Sequence, residues 1–239
     1  MLAPGQAAAG CPLGEGAGII AVRFVRPGEA AHLEGGHFWI DIPSGSRFAP
    51  GPLVVRTVSV TGLPEGLRAV HDAVDVLPEG EALDARATLA FDVGETPEVR
   101  DLGVFRWDAV TARYGFESDE FHAPQRAMVV PFRRYGRFAL LRDEAAPVIR
   151  SVRPIAGETV GRRPEFAAWV DDTGKGLRFD GVAFTLDEAR LESEFDPDRG
   201  VSRPFEAPVL SPGRHHLRVV ATDRAGNVSP AVEVDFTAR

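Results

Sequence analysis

Apolar residues recur at every second position in short bursts, and a glycine or proline turn closes each burst after about ten residues. In Gly36-His37-Phe38-Trp39-Ile40-Asp41-Ile42-Pro43 this alternation puts Phe38, Ile40 and Ile42 on one face of a strand. His37, Trp39 and Asp41 fall on the other. Comparable runs cover Ile19 to Val25, Leu53 to Val60, Asp72 to Leu77, Ala85 to Asp92 and Ala127 to Pro131, while Leu102 to Asp108 and Val110 to Phe116 read as a hairpin. No stretch carries a helical period. A chain of this kind is expected to be all-β, with antiparallel sheets packed face to face.

The pattern restarts once. Phe138 to Leu141 is a short apolar strand, Asp143-Glu144-Ala145-Ala146-Pro147 is a linker ended by proline, and Val148, Ser151 and Val152 open a new run of β-formers. At 239 residues the chain is long for one sandwich of about 100 residues and comfortable for two. With 44% hydrophobic residues, both can fill a core. The expected organisation is two consecutive antiparallel β-sandwiches, the second immunoglobulin-like, over residues 18–143 and 146–239. Residues 1–17 are expected to be a disordered or processed N-terminus. Strands in the second part are expected over 148–155, 165–171, 181–186, 189–195, 201–205, 215–222 and 231–236, an immunoglobulin-like count of seven.

The formal charge of −8 argues against nucleic acid and an anionic membrane surface, both of which call for a basic face. No apolar run reaches the roughly 18 residues of a transmembrane helix. Cys11 is the only cysteine, so neither an intrachain disulfide nor a cysteine-based zinc site can form. Ala8-Ala9-Gly10-Cys11 is similar to a bacterial lipobox, which would make Cys11 a lipid anchor. The stretch has no basic n-region, and Pro4 and Gly5 interrupt the apolar run, so an unlipidated terminus is the preferred reading.

Gly36-His-Phe-Trp-Ile-Asp-Ile-Pro-Ser-Gly45, Leu102-Gly-Val-Phe-Arg-Trp-Asp108 and Tyr135-Gly-Arg-Phe-Ala-Leu-Leu141, in that order, resemble the ZU-type sandwich of netrin receptors and ankyrins, in its bacterial exported variety. In the second part, Pro212-Gly-Arg-His-His-Leu-Arg-Val-Val-Ala-Thr-Asp-Arg-Ala-Gly-Asn-Val-Ser229 resembles the penultimate strand and hairpin of bacterial Ig-like domains. In that turn Gly226 is expected to adopt a positive φ, and Asp223 and Asn227 to bond nearby backbone groups. The tandem is similar to the C-terminal part of bacterial cell-envelope proteins, among them lysostaphin-type peptidoglycan peptidases. The resemblance implies an extracytoplasmic protein whose partner is an envelope protein or peptidoglycan.

No catalytic constellation assembles from the residues themselves. His37 and Asp41 have the spacing of one zinc-ligand pair, but no His-x-His exists to complete it, and the adjacent His215 and His216 must point to opposite faces of a strand. Asp171-Asp172-Thr-Gly-Lys-Gly176 and Asp196-Pro-Asp198-Arg-Gly200 place carboxylates in glycine turns, as calcium loops do, but each lacks the later bidentate acid. Asp171, Asp172, Asp196 and Asp198 are therefore calcium candidates set against plain turns. Trp39 opposes its apolar neighbours and is a candidate stacking platform for a ligand, set against the preferred reading that a neighbouring strand, a loop or the other domain covers it, whereas Trp107 and Trp169 are expected in the core. The expectation is a non-enzymatic accessory or spacer module without a cofactor, positioning an envelope partner such as a peptidoglycan peptidase. The alternatives are a glycan- or protein-binding module, and part of a lysostaphin-type metallopeptidase whose catalytic domain lies outside this chain.

Overall fold

The computed structural model describes residues 18–95 and 98–239, so the expectations for residues 1–17, including a lipid anchor at Cys11, lie outside the described residues. The first twelve strands are β1 (Gly18–Val25), β2 (Ala31–Glu34), β3 (Phe38–Ile42), β4 (Gly51–Val58), β5 (Leu67–Ala69), β6 (Ala73–Leu77), β7 (Ala82–Asp92), β8 (Leu102–Asp108), β9 (Arg113–Ser118), β10 (Glu120–His122), β11 (Ala127–Arg134) and β12 (Arg137–Asp143). They form a seven-stranded sheet in the order β1-β4-β6-β12-β8-β9, with β5 also on β12, and a five-stranded sheet β10-β11-β7-β3-β2. The remainder are β13 (Val148–Arg153), β14 (Thr159–Val160), β15 (Ala167–Asp171), β16 (Leu177–Leu186), β17 (Ala189–Leu191), β18 (Ser193–Asp196), β19 (Val201–Pro204), β20 (Gly213–Asp223) and β21 (Val232–Ala238). These form a four-stranded sheet β13-β15-β19-β18 and a five-stranded sheet β14-β21-β20-β16-β17.

The fold is thus all-β, two sandwiches in succession, and every paired strand is antiparallel except the short β14, which runs parallel to β21. Period-two alternation explains the packing: Phe38, Ile40 and Ile42 turn inward with Leu89, Phe91 and Met128 to meet Val55, Val74, Val76, Phe138 and Leu140 of the facing sheet. A second cluster of Phe166, Val182, Phe184, Leu217, Val219 and Phe236 fills the other sandwich. The outer face of the larger sheet is covered too, where Phe105, Ala139 and Leu141 pack with Leu67 and Ala73. Strand β1 is the exception to its apolar sequence. It lies at a sheet edge, pairs only with β4, and leaves Ile19, Ile20, Val22 and Phe24 exposed.

Two tryptophans depart from expectation. Trp107 and Trp169 are half-buried and belong to no core cluster. In β15 the buried Ala168 and Val170 flank Trp169, so strand phase turns its ring to the outer face. Trp107 lies outside for the same reason, edge-on to Tyr114 with the Arg137 guanidinium over its ring at 5.9 Å.

Candidate functional site

The end of β12 and two loops of the second sandwich meet beneath the linker. Asp143 is fully buried: one carboxylate oxygen accepts the Ala145 N–H at 3.0 Å and the other the Lys175 N–H at 2.7 Å. The loop after β15 then has to pass very close to this carboxylate. A Cβ on Gly174 would lie 1.9 Å from Asp143 Oδ2, so this position admits no side chain. Asp172 shapes the same loop, its Oδ2 accepting the Gly174 and Gly176 N–H groups at 3.0 and 2.8 Å.

The third acid is Asp223, at the end of β20 and fully buried. Its Oδ1 accepts the N–H groups of Gly226 (2.6 Å) and Asn227 (2.8 Å), the local bonding expected of this turn. Gly226 has φ +100°, a conformation that glycine adopts without steric cost. The turn also reaches across the junction. The Asn227 amide donates to the main-chain oxygens of Asp143 (3.1 Å) and Ala145 (3.4 Å) as well as to Asp223 Oδ2 (2.8 Å). Lys175, the only lysine in the chain, is buried with Nζ 2.6 Å from the Arg100 carbonyl and 3.5 Å from Asp119.

One carboxylate oxygen from each of Asp143, Asp172 and Asp223 lies within 4.8 Å of the other two. Burial pushes Asp172 up to about 6, the Gly176 N–H opposing this and the Asp143 charge adding to it. Burial raises Asp143 as well, against the bonds from Lys175 and Ala145. Lys175 is lowered by its own burial, against the acids near it. Asp172 Oδ1 is buried with no hydrogen-bond partner among the described residues. The cluster therefore gathers three acids, Asp143 and Asp223 fully buried and Asp172 half-buried, beside the buried Lys175, and offers only oxygen donors. Beside it a cleft of ≈ 580 Å³ opens between the sandwiches, lined by Phe116 and Phe195 and by Arg113, Arg150, Lys175 and Arg224.

Of the four calcium candidates, the structure brings only Asp172 into this cluster. Asp171 faces outward and accepts from Arg150 Nε at 2.8 Å. Asp196 caps its own turn through the Asp198 and Arg199 N–H groups, and Asp198 is exposed. His37 stacks on His71 with centroids 4.5 Å apart, while Asp41 pairs with His32 at 2.6 Å, so the spacing that matched a zinc pair gives each residue a different partner. His215 is buried against Asp187 and His216 is exposed, on opposite faces as expected. Trp39 lies on the outer face of β3, half-buried between Glu34 of β2 and Ala90 of β7.

No protein-family model matches the chain, and no curated protein sequence matches it. Among solved structures it is similar to CopC from Methylosinus trichosporium OB3b, with 14% identity and a TM-score of 0.32 over 39% of this chain and 92% of that one. It is also similar to the glycoside hydrolase domain of Endo-D, Spr0440, from Streptococcus pneumoniae R6, with 12% identity and a TM-score of 0.24 over 74% of this chain and 36% of that one. Likenesses at this level bear on neither activity nor ligand.

Proposed function

We propose that this chain is a non-catalytic, extracytoplasmic accessory module of a bacterial cell envelope, which holds or docks a partner such as a peptidoglycan peptidase at a fixed distance and orientation. The supporting observation is the junction. Asn227 and Lys175 of the second sandwich bond main-chain oxygens of Asp143, Ala145 and Arg100 at or before the linker, and these bonds are partly buried. Two sandwiches tied in this way act as one lever, and fixing orientation is how a non-reacting part assists a reaction elsewhere. The likeness of the Gly36–Gly45 strand to ZU-type domains and of the Asp223-Arg-Ala-Gly-Asn227 turn to bacterial Ig-like domains suggests the envelope setting.

Peptidoglycan hydrolysis measured on this chain alone, and then with a lysostaphin-type peptidase domain in fusion or in trans, tests the reading. The module is expected to be inactive alone and to raise the partner's rate. Hydrolysis by the isolated chain that disappears in His37→Ala would overturn it. A second reading, recognition of an acidic glycan or peptide, is favoured by the cleft: Arg113, Arg150 and Arg224 supply positive charge beside the Phe116 ring, over which Arg224 lies at 5.7 Å. Binding of soluble peptidoglycan fragments that is lost in Arg224→Ala would support that reading. A third role, as the non-catalytic part of a lysostaphin-type metallopeptidase, shares the same geometry and differs only in whether the catalytic domain is covalently attached.

A further inference from the structure

Strand β9 closes one edge of the seven-stranded sheet. It pairs with β8, and among the described residues no strand pairs with it on the other side. An edge strand presents a row of N–H and C=O groups without partners, a template for a further strand. Phe116 faces Phe105 and Ser118 faces Val104, so Glu117 is the extra residue of a bulge and the regular part of the edge is Arg113 to Phe116. Three residues apart on a strand, Arg113 and Phe116 point to opposite faces. Both line the cleft of ≈ 580 Å³ between the sandwiches, so the cleft follows the open edge instead of lying over one face. Gly115 on this stretch is exposed, and a Cβ there would meet nothing within 4 Å. The packing of this chain does not ask for a glycine there, and a strand glycine also serves where another backbone comes close.

Charge selects the kind of strand. Arg113, Arg150, Lys175 and Arg224 line the cleft against Asp171 and Asp172, four cations to two acids in a chain of net charge −8. Asp171 pairs with Arg150, and Asp172 accepts from its own loop. Arg113 makes no ion pair among the described residues; Asp108, opposite it on β8, accepts the Val110 and Thr111 N–H groups instead. On the Arg113 face, Gly115 puts no side chain between the open edge and Arg106, its partner on β8. The other face carries Tyr114 and Phe116, with Phe195 of the second sandwich bordering the cleft.

We infer that the open edge of β9 accepts an extended acidic peptide as an added strand, its carboxylates on the Arg113 face and its apolar side chains on the Phe116 face. The period of two requires acid and apolar residues to alternate in this ligand. The inference rests on the second reading above and narrows it to a peptide, because a glycan lacks the regular N–H and C=O groups that complete a ladder.

The test titrates a blocked Val-Glu-Val-Glu-Val-Glu peptide into the full chain at low salt and follows backbone amide NMR and hydrogen exchange. Shifts and slowed exchange are expected in β9 over residues 113–117. Arg113→Glu, at an exposed position, should weaken binding about tenfold, the scale of one lost charged hydrogen bond. The same peptide with every amide N-methylated keeps its charge and loses the ladder, so it should not bind; this arm leaves the protein unaltered. Binding that survives full N-methylation, or that leaves the β9 amides unprotected, would overturn the inference. An oligogalacturonate, acidic but without an amide ladder, separates the two readings. If it binds in the cleft and the peptide does not, the added strand is overturned while recognition of an acidic ligand stands. If neither moves a resonance at millimolar probe, both fall.

Discussion

Two parts of the molecule bury carboxylates and balance them in opposite ways. In the first sandwich Asp75 is 3% exposed and lies between two guanidinium groups, Arg56 at 2.9 Å and Arg137 at 2.6 Å. At the junction Asp143, Asp172 and Asp223 share a smaller space, and their partners are neutral N–H groups and an amide. The Asp75 group carries its countercharge in the sequence. The junction provides dipoles to hold its acids in position, and the cation nearest them, Lys175, bonds the Arg100 carbonyl and faces Asp119 instead. Removing an acid should therefore have opposite signs at the two places.

The largest effect is expected for Asp75→Ala. It leaves two partly buried arginines without their carboxylate and should cost about 3 kcal/mol in denaturant unfolding, the scale of breaking a buried pair from one side. A loss below that of an exposed ion pair would mean that Asp75 is not the centre of this network. Next comes Gly226→Val. The positive φ strains any side chain, and a Cβ there would lie 3.0 Å from the Arg100 guanidinium carbon, so a loss of about 1 to 3 kcal/mol is expected. A neutral Gly226→Val would remove the account of that turn.

Asp172→Asn sharpens the contrast. It relieves repulsion among the buried Asp143 and Asp223 and the half-buried Asp172, and should leave unfolding unchanged or raise stability by up to about 1 kcal/mol, where Asp75→Ala lowers it. If the two variants destabilise alike, the junction is balanced in the same way as Asp75, and the distinction fails.

The smallest effect belongs to the far end of the second sandwich, where an acid meets histidine. His215 Nδ1 contacts Asp187 and Nε2 contacts the Ser211 carbonyl at 2.8 Å; the Asp187 bond and then the Ser211 carbonyl favour the imidazolium and raise the histidine pKa. Because the folded value is the higher one, this stabilisation is complete below the unfolded value of about 6.5 and is lost as the pH rises through the folded value. Melting temperature should fall across that window, and His215→Gln should flatten the slope. An unchanged slope in the variant would assign the pH dependence to another group.

Much of the fold was legible because one face of each strand is apolar. Phe38, Ile40 and Ile42 announced their side of β3, and the Asp223 turn announced its own bonding through the positions of Gly226 and Asn227. The short strands β2, β5, β10 and β14 were not legible. They have two to four residues, and the chain segments they pair with define them more than any run of β-formers does. The site was half legible. Asp171 and Asp172 look equivalent in sequence, but β15 pairs Asp171 with Val148 and ends there, so only the next residue turns inward. Asp143 read as a linker residue and Asp223 as a turn residue, and no local spacing connects positions 143, 172 and 223. The one hint was Gly174, whose lack of a side chain is required only by the carboxylate packed against it.

The central claim is that the two sandwiches hold one orientation. Pulsed electron-electron spectroscopy tests it directly, with spin labels at Val110→Cys in the first sandwich and Arg190→Cys in the second, both at exposed positions, and Cys11 replaced by serine. A single narrow distance distribution is expected, broadening when Asn227→Ala removes the amide bonds to Asp143 and Ala145. A broad distribution in the chain with Asn227 intact, unchanged by the alanine substitution, would contradict the account.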